Sequence, residues 1–457
     1  MAEELFMETG FMKIRVYLET LGCVKNSVDS EIMMGQMLDD GYEMTRDPLK
    51  SNVMVLNTCA FITKAVNESI DRILSLSRLK HDTGPQKLIV AGCLSERYRK
   101  QLLAEIPEID AVIGTSDYTA ISACIAATFD STDKITYLEG KPAYSEKNVR
   151  SDRILAASQI YSYLKISEGC SNMCSFCNIP KLRGPFRSRA VKDIRDEFNT
   201  VLGYGVKEIN LISQDSASYG LDLDNHETLL RLVDELLCTI SEDFWIRIFY
   251  TYPNRYPVEL FQMMAEDPRL TPYADIPFQH IANPVLKAMN RKITALEIEH
   301  LIETAMKRMP DIALRSTFIV GFPNETEKEF RQLLRFVEKG YFAHLGVFTY
   351  SAEDNIVSKK MGDTISETEK HSRREQLMEV QQQISFKKNR AMIGQKQKVL
   401  IEGAYEETDL LLQGRNQYQG ADVDGVVLIN EGTSDPGEFQ TVEIIDAHPY
   451  DLIGRII

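Results

Sequence analysis

The sequence predicts an α/β protein with three parts: an N-terminal parallel-sheet α/β domain, a central partial (β/α)6 barrel, and a small C-terminal all-β barrel. Three observations carry this expectation. Short β-branched apolar runs alternate with helical patterns over the first 120 residues. Six further strand-like runs alternate with helical ones between Tyr161 and Thr349. Past residue 390 the helical pattern stops, and Gly394, Gly403, Gly414, Gly420, Gly425, Gly432 and Gly437 punctuate short strands. Alternating strand and helix mean a parallel sheet, and short strands at even spacing suggest a barrel.

A length of 457 residues fits about three domains at roughly 150 each. With 44% hydrophobic residues, several packed cores are available, which excludes a disordered tail. No apolar run approaches the roughly 18 residues of a membrane span. The Met1 to Met12 stretch holds three Glu and no Lys or Arg, unlike a signal peptide. The expectation is a soluble cytoplasmic protein with no membrane contact. A net charge of −15 argues against gripping nucleic acid and for a basic partner. Eight cysteines are too few for a secreted disulfide scaffold, so their spacing is read as metal or redox chemistry.

In the first domain, residues 13–145, three strand-like runs each end at a cysteine. Ile14 to Glu19 leads to Thr20-Leu21-Gly22-Cys23, Val53 to Asn57 to Thr58-Cys59, and Leu88 to Ala91 to Gly92-Cys93. Between them, Asp29 and Ser30 are expected to cap a helix carrying Ile32, Met33, Gln36 and Met37, with Gly41 beyond its end. Ile62, Val66, Ile70, Ile73 and Leu74 mark a second helix. Ligands of open parallel sheets gather outside the carboxyl ends of the strands. Cys23, Cys59 and Cys93 should therefore converge, although more than thirty residues separate each from the next. Thiolates in that geometry suit an iron–sulfur cluster or zinc.

The central domain, residues 153–390, opens with Tyr163-Leu-Lys-Ile-Ser-Glu-Gly-Cys170-Ser-Asn-Met-Cys174-Ser-Phe-Cys177-Asn-Ile-Pro180. Three thiolates on one short loop can hold three irons of a [4Fe–4S] cube and leave the fourth open. Such an iron can bind the amino and carboxylate groups of S-adenosylmethionine (SAM) and pass it an electron, releasing a 5′-deoxyadenosyl radical. Zinc would want a histidine, which the loop lacks. The spacing C-x3-C-x-aromatic-C resembles the signature of radical SAM enzymes. Strands are expected at Tyr163 to Ser167, Glu208 to Ile212, Trp245 to Tyr250, Ala274 to Phe278, Leu314 to Val320 and Leu345 to Thr349, with helices such as Asp193 to Leu202 and Thr228 to Ile240 between them. Barrels of this kind work at the carboxyl ends of their strands, which here carry Glu168, Ser213, Gln214, Asp215, Gln279, His280 and Gly321.

The second cysteine set narrows the resemblance. Thr-Leu-Gly-Cys23-Val-Lys-Asn-Ser-Val-Asp-Ser-Glu31, Asn57-Thr-Cys59-Ala-Phe-Ile62 and Ala91-Gly-Cys93, taken with the central motif, resemble the methylthiotransferases over roughly residues 13 to 457. That resemblance implies two [4Fe–4S] clusters, one on Cys23, Cys59 and Cys93 and one on Cys170, Cys174 and Cys177, with SAM as radical source and methyl donor. One branch modifies adenosine in tRNA; the other modifies an aspartate of small-subunit ribosomal protein S-twelve. Ser213-Gln214-Asp215-Ser-Ala-Ser-Tyr219-Gly220 is similar to the protein-modifying branch, where the tRNA branch has G-Q-N. Val24, Ala60 and Asn324 depart from the usual residues of their motifs, at positions that are not proposed ligands. By the same resemblance, Arg183, Arg187 or Arg189 would hold a carboxylate of SAM or substrate, and Gln279 and Arg315 would contact SAM.

A polar helix from about Ser366 to Met392 leads into residues 391–457, which resemble a TRAM domain, a module that elsewhere commonly binds RNA. Here four cations, Lys396, Lys398, Arg415 and Arg455, face twelve carboxylates. Such a surface repels tRNA and attracts a basic protein. Ribosomal protein S-twelve or the small subunit is the expected partner, together with an electron donor and a sulfur source. Cys124 and Cys238 lie in apolar helical patterns and are expected to be inert core residues. A polar linker from Glu139 to Asp152 is expected to separate the first two domains. Methylthiolation of tRNA adenosine and a non-catalytic iron–sulfur adaptor remain the alternative functions.

Overall fold

Strand β3 (Val53–Thr58) is buried at every position, which a strand achieves only when both faces of its sheet are covered. Its side chains alternate between two cores. Met54 and Leu56 pack with Leu88, Val90 and Val112, while Val53 and Val55 pack with Ile89, Ala91, Ala111 and Ile113. The computed structural model describes residues 13–83, 86–131, 133–137, 153–155, 160–224, 227–239 and 243–457. The expected linker Glu139 to Asp152 lies outside the described residues.

The chain divides into two units, one of residues 1–156 with Asn178–Pro185 and one of residues 157–177 with 186–457. In the first, β1 (Arg15–Thr20), β2 (Glu43–Thr45), β3, β4 (Lys87–Gly92), β5 (Ala111–Ile113) and β6 (Ile135–Tyr137) form one sheet in the order β2-β1-β3-β4-β5-β6, every pair parallel. The three expected strands occupy its centre; β2, β5 and β6 carried too few residues to stand out in sequence. One expectation fails. The first helix starts at Val24 with Cys23 as its N-cap, so Asp29 and Ser30 lie inside it, buried, rather than capping it. Ser30 instead meets Thr20 Oγ1 at 2.7 Å and Asn57 Nδ2 at 2.9 Å.

In the second unit, β7 (Tyr161–Lys165), β10 (Glu208–Ile212) and β11 (Trp245–Ile248) form one parallel sheet, and β12 (Tyr273–Asp275), β13 (Ala313–Val320) and β14 (His344–Thr349) a second. A single bridge, Ile246 to Leu270, joins the segments between them. These are the six expected strands in chain order. Two short strands, β8 (Ser167–Glu168) and β9 (Arg187–Ser188), pair antiparallel beside β7. The helix Glu367–Arg390, capped by Ser366, leads to β15 (Lys396–Tyr405), β16 (Thr408–Asn416), β17 (Val427–Glu431), β18 (Phe439–Ala447) and β19 (Leu452–Ile456). These five close into a barrel around Val399, Ile401, Val427, Val442 and Ile444. Cys124 is buried as expected, whereas Cys238 is exposed, on the outer face of the amphipathic helix Leu229–Thr239. Among the described residues no helix is long and apolar enough to cross a membrane.

The closed barrel belongs to the same unit as the six strands and is tied to them by buried charge. Glu208 on β10 meets Arg247 Nε at 2.8 Å and Arg415 Nη2 at 2.7 Å, and Arg415 Nε meets Glu402 at 2.6 Å. Tyr161 and Tyr163 both donate to Asp422 at 2.7 Å, and Tyr273 donates to Asp424 at 2.6 Å. Burial pushes the Glu208 carboxyl up, but the two guanidiniums outweigh it and hold the group below the usual carboxylate range. We expect Glu208→Gln to cost about 3–5 kcal/mol in chemical unfolding, because two buried guanidiniums lose their charge partner. The wild-type contribution is full above the unfolded glutamate pKa of about 4.3 and is lost as pH falls through the lowered folded value, so the gap between the proteins should close in acid.

Candidate functional site

The ends of β1, β3 and β4 are level because their ladder pairs Thr20 with Asn57 and Thr58 with Gly92. Cys59 and Cys93 follow those ends directly and Cys23 comes after Leu21 and Gly22, so the three thiols share one edge of the sheet as expected. They lie within electrostatic reach of one another. Burial raises Cys59, and Cys23 adds to the rise; burial pushes Cys93 up to about 12, with Cys23 and Cys59 adding again. At Cys59 the Phe61 N–H opposes the rise most, and the Arg183 guanidinium opposes it at both thiols and also hydrogen-bonds to Cys93.

Asn26 frames this edge. Its amide nitrogen donates to the carbonyls of Leu21 and Thr58, both at 2.9 Å, and Asn57 Nδ2 donates to its backbone carbonyl at 3.0 Å. Thr58 Oγ1 donates to Ala91 O at 2.5 Å, stitching β3 to β4 one residue before Cys59 and two before Cys93. Gly22 approaches so closely that an added Cβ would lie 2.5 Å from Cys59 Cβ.

The second thiol set sits on the loop after β8. Met173 takes a left-handed φ of 54° between Cys170 and Cys174, and Cys177 N closes a turn onto Cys174 O at 3.1 Å. Donors are aimed at two of the sulfurs. Asn172 Nδ2 lies 3.5 Å from Cys170 Sγ and Arg291 Nη1 3.7 Å from Cys174 Sγ, with the Arg291 guanidinium seated over the Tyr252 ring. Burial pushes Cys170 up to about 11. Among the described residues no three His, Cys, Asp or Glu side chains close on a point that one metal ion would occupy. A cubane presents three separate irons to its cysteines, and two sets of three free thiols with sulfur-directed donors suit that wider group.

Three of the four arginines expected to contact SAM or substrate pair with carboxylates of this protein. Arg183 lies in the first unit, where Nη1 meets Asp29 at 2.7 Å and Nη2 donates to Asn26 Oδ1. Arg189 pairs with Glu197 at 2.6 Å and donates to Lys165 O. Arg315 donates to Asp275 at 2.9 Å and lies 3.4 Å from Asp424. Each holds a carboxylate of this protein. Arg187, half-buried, faces Glu168 across the β8–β9 pair. Gln279 has φ 72° and continues the ladder onto β13 through Thr317 O at 2.8 Å, while its side chain makes no hydrogen bond among the described residues. At the rim, Glu168 accepts from Lys165 at 3.0 Å and from Gln214, and Gly321 N donates to Glu325. His280 is buried and accepts from Ala282 N at 3.0 Å. Asn172 and Asp29 lie inside motifs already singled out, and a search for polar residues between ligands would have found them. Arg291 and Tyr252 had no local signal.

Residues 15–114 match the uncharacterized protein family UPF0004, residues 164–337 the radical SAM superfamily and residues 393–457 the TRAM domain. The ribosomal protein uS12 methylthiotransferase RimO of Citrifermentans bemidjiense is 44% identical over 97% of this chain and 99% of its own length. That of Geobacter sulfurreducens is 43% identical over 97% and 99%. The chain belongs to the RimO methylthiotransferase family. Among solved structures, the radical SAM methyltransferase TsrM of Kitasatospora setae superposes with a TM-score of 0.55 at 13% identity, covering 74% of this chain and 72% of that one. The cobalamin-dependent radical SAM enzyme OxsB gives 0.53 at 14%, covering 80% and 56%. At such identities these two share the fold with the RimO family member described here and nothing finer.

Gly22 offers a test of the cysteine edge. Gly41 has a similar φ, 87° against 98°, but nothing within 4 Å of an added Cβ. Gly41→Ala should therefore cost only the backbone strain, about 1–2 kcal/mol. Gly22→Ala should exceed it in the same urea titration, because Cys59 must also move. Equal losses would mean that Cys59 is not packed against Gly22.

Proposed function

We propose that this chain methylthiolates the β-carbon of an aspartate in ribosomal protein uS12, with SAM serving as both radical source and methyl donor. The observation that carries the proposal is the near full-length identity of 44% to a RimO protein. Its own residues fit. Cys170, Cys174 and Cys177 are assigned to one [4Fe–4S] cluster and Cys23, Cys59 and Cys93 to a second. When bound, a three-cysteine cluster would supply an open iron to take SAM and one electron to split it into methionine and a 5′-deoxyadenosyl radical.

The rest is done by the protein. Asn172 and Arg291 donate toward the sulfurs of the first trio, and Arg183 toward Cys93 in the second. Gln279, whose side chain is uncommitted, and Arg187 are assigned to the cofactor or the substrate. Arg183, Arg189 and Arg315 are assigned to positioning, since their carboxylate partners are already present. The TRAM barrel is assigned to recognition of a basic protein. Asp422 and Asp424 are removed from that recognition surface, because both are engaged by the six-stranded part. Glu406, Glu407 and Asp409, exposed around the β15–β16 turn, remain.

Anaerobically reconstituted protein should hold about eight irons per chain, and loss of either trio should leave about half. Cys174→Ala should abolish 5′-deoxyadenosine formation. Cys59→Ala should retain some cofactor cleavage and form no methylthio product on a uS12 peptide read by mass spectrometry. About four irons in the intact protein would remove the second cluster.

Reversing Glu406, Glu407 and Asp409 to Lys should slow uS12 modification several-fold at low salt, with cofactor cleavage near normal and the gap narrowing as salt rises. Faster modification of tRNA by that variant, with no loss on uS12, would instead favour the tRNA substrate.

A further inference from the structure

Asp215 ends the turn after β10, and its own position is fixed: its N–H donates to Ser213 Oγ at 2.9 Å, and Ser216 is held by Tyr250 O and Phe249 O. Its carboxylate is 1% exposed and accepts three hydrogen bonds. Asn172 Nδ2 donates at 2.7 Å, Ser218 Oγ at 2.6 Å and Tyr252 N at 3.3 Å. One of those donors lies on the thiol loop itself: Asn172 Nδ2 continues to Cys170 Sγ at 3.5 Å. Tyr252 packs its ring under Arg291, whose Nη1 lies 3.7 Å from Cys174 Sγ.

An asparagine amide can point either its oxygen or its nitrogen at a neighbour, and only the nitrogen donates. A carboxylate accepts and cannot donate, so Asp215 forces the Asn172 nitrogen inward, and the second N–H of that nitrogen is left to face Cys170. An Asn at 215 would remove this compulsion, because two amides can pair in either sense. Hydrogen bonds to ligand sulfurs stabilise the more negative, reduced state of an iron–sulfur cluster and raise its midpoint potential.

We propose that Asp215 is a positioning residue for the cluster on Cys170, Cys174 and Cys177: it orients Asn172 so that the amide nitrogen donates to a ligand sulfur and makes that cluster easier to reduce. This rests on the assignment of a cluster to that trio. Asp215 touches neither a sulfur nor any reacting atom.

The test is a reductive titration of the full-length, anaerobically reconstituted protein, following the electron paramagnetic resonance signal that Cys174→Ala abolishes. Asn172→Ala removes a donor without changing charge and should move the midpoint to a more negative value. Asp215→Asn should move it the same way, although removal of a nearby negative charge would by itself move it the other way. In the double variant the shifts should not add, since Asn172 has no donation left to lose. Ser218→Ala, a milder loosening of the same carboxylate, should give a smaller shift of the same sign. A positive shift in Asp215→Asn, or two shifts that add, would overturn the proposal and leave Asp215 as a bare charge. A protein with no Cys174-dependent signal would instead fail the cluster assignment beneath it.

Discussion

Parallel strands hydrogen-bonded in register must finish at the same level, and the chemistry of this protein depends on that constraint. In the first unit, the pairs Thr20–Asn57 and Thr58–Gly92 put three chain reversals side by side, and each reversal carries a cysteine. In the second, β7 and β10 run together from Tyr161–Glu208 to Lys165–Ile212. The chain beyond Lys165 supplies Glu168 and Cys170, and the chain beyond Ile212 supplies Gln214 and Asp215. Asn172 and Asp215 are 43 residues apart in sequence and meet at 2.7 Å because the ladder ends together. Backbone hydrogen bonding, which carries no side-chain information, thus decides which side chains can meet.

A second constraint is the cost of burying charge. Glu208 and Arg247 lie on neighbouring strands and are both 0% exposed, an arrangement tolerable only because Arg415 and Glu402 arrive from the closed barrel to complete a network of two cations and two anions. Composition cannot distinguish acids spent in this way from acids facing water. Four carboxylates of the C-terminal segment, Glu402, Asp422, Asp424 and Glu443, have cationic or phenolic partners, and the first three are engaged at the junction with the six-stranded part.

What was legible in the sequence follows from these two constraints. Hydrophobic periodicity located the central strands to within a residue or two, because each of β3, β4, β10 and β13 is long and buried. The placement of Cys23, Cys59 and Cys93 at strand ends was legible from the same periodicity, and Cys170, Cys174 and Cys177 stood out by their local spacing. The edge strands β2, β5 and β6, three residues each, were not, since so short a run has no period. Asp29 and Ser30 were misplaced as caps because their residue types favour helix starts, whereas tertiary partners, Arg183 and Asn57, hold them inside the helix. For the arginines after Cys177 the sequence leaves the anion open, for a related reason. A guanidinium announces that it will hold an anion, and nothing local says whether that anion belongs to a ligand or to the protein.

The closed barrel sharpens the argument about the partner. A barrel of five strands exposes no edge to which a peptide strand could add, so recognition there must come from side chains and turns. At the β15–β16 turn, Leu410 is 87% exposed beside Glu406, Glu407 and Asp409. An apolar tip among carboxylates offers a basic protein both charge attraction and a contact that survives salt. It offers a phosphate backbone neither. The acids lost to the internal junction therefore do not weaken the proposed preference for a protein substrate, because the carboxylates at this turn stay exposed and their attraction also favours one orientation.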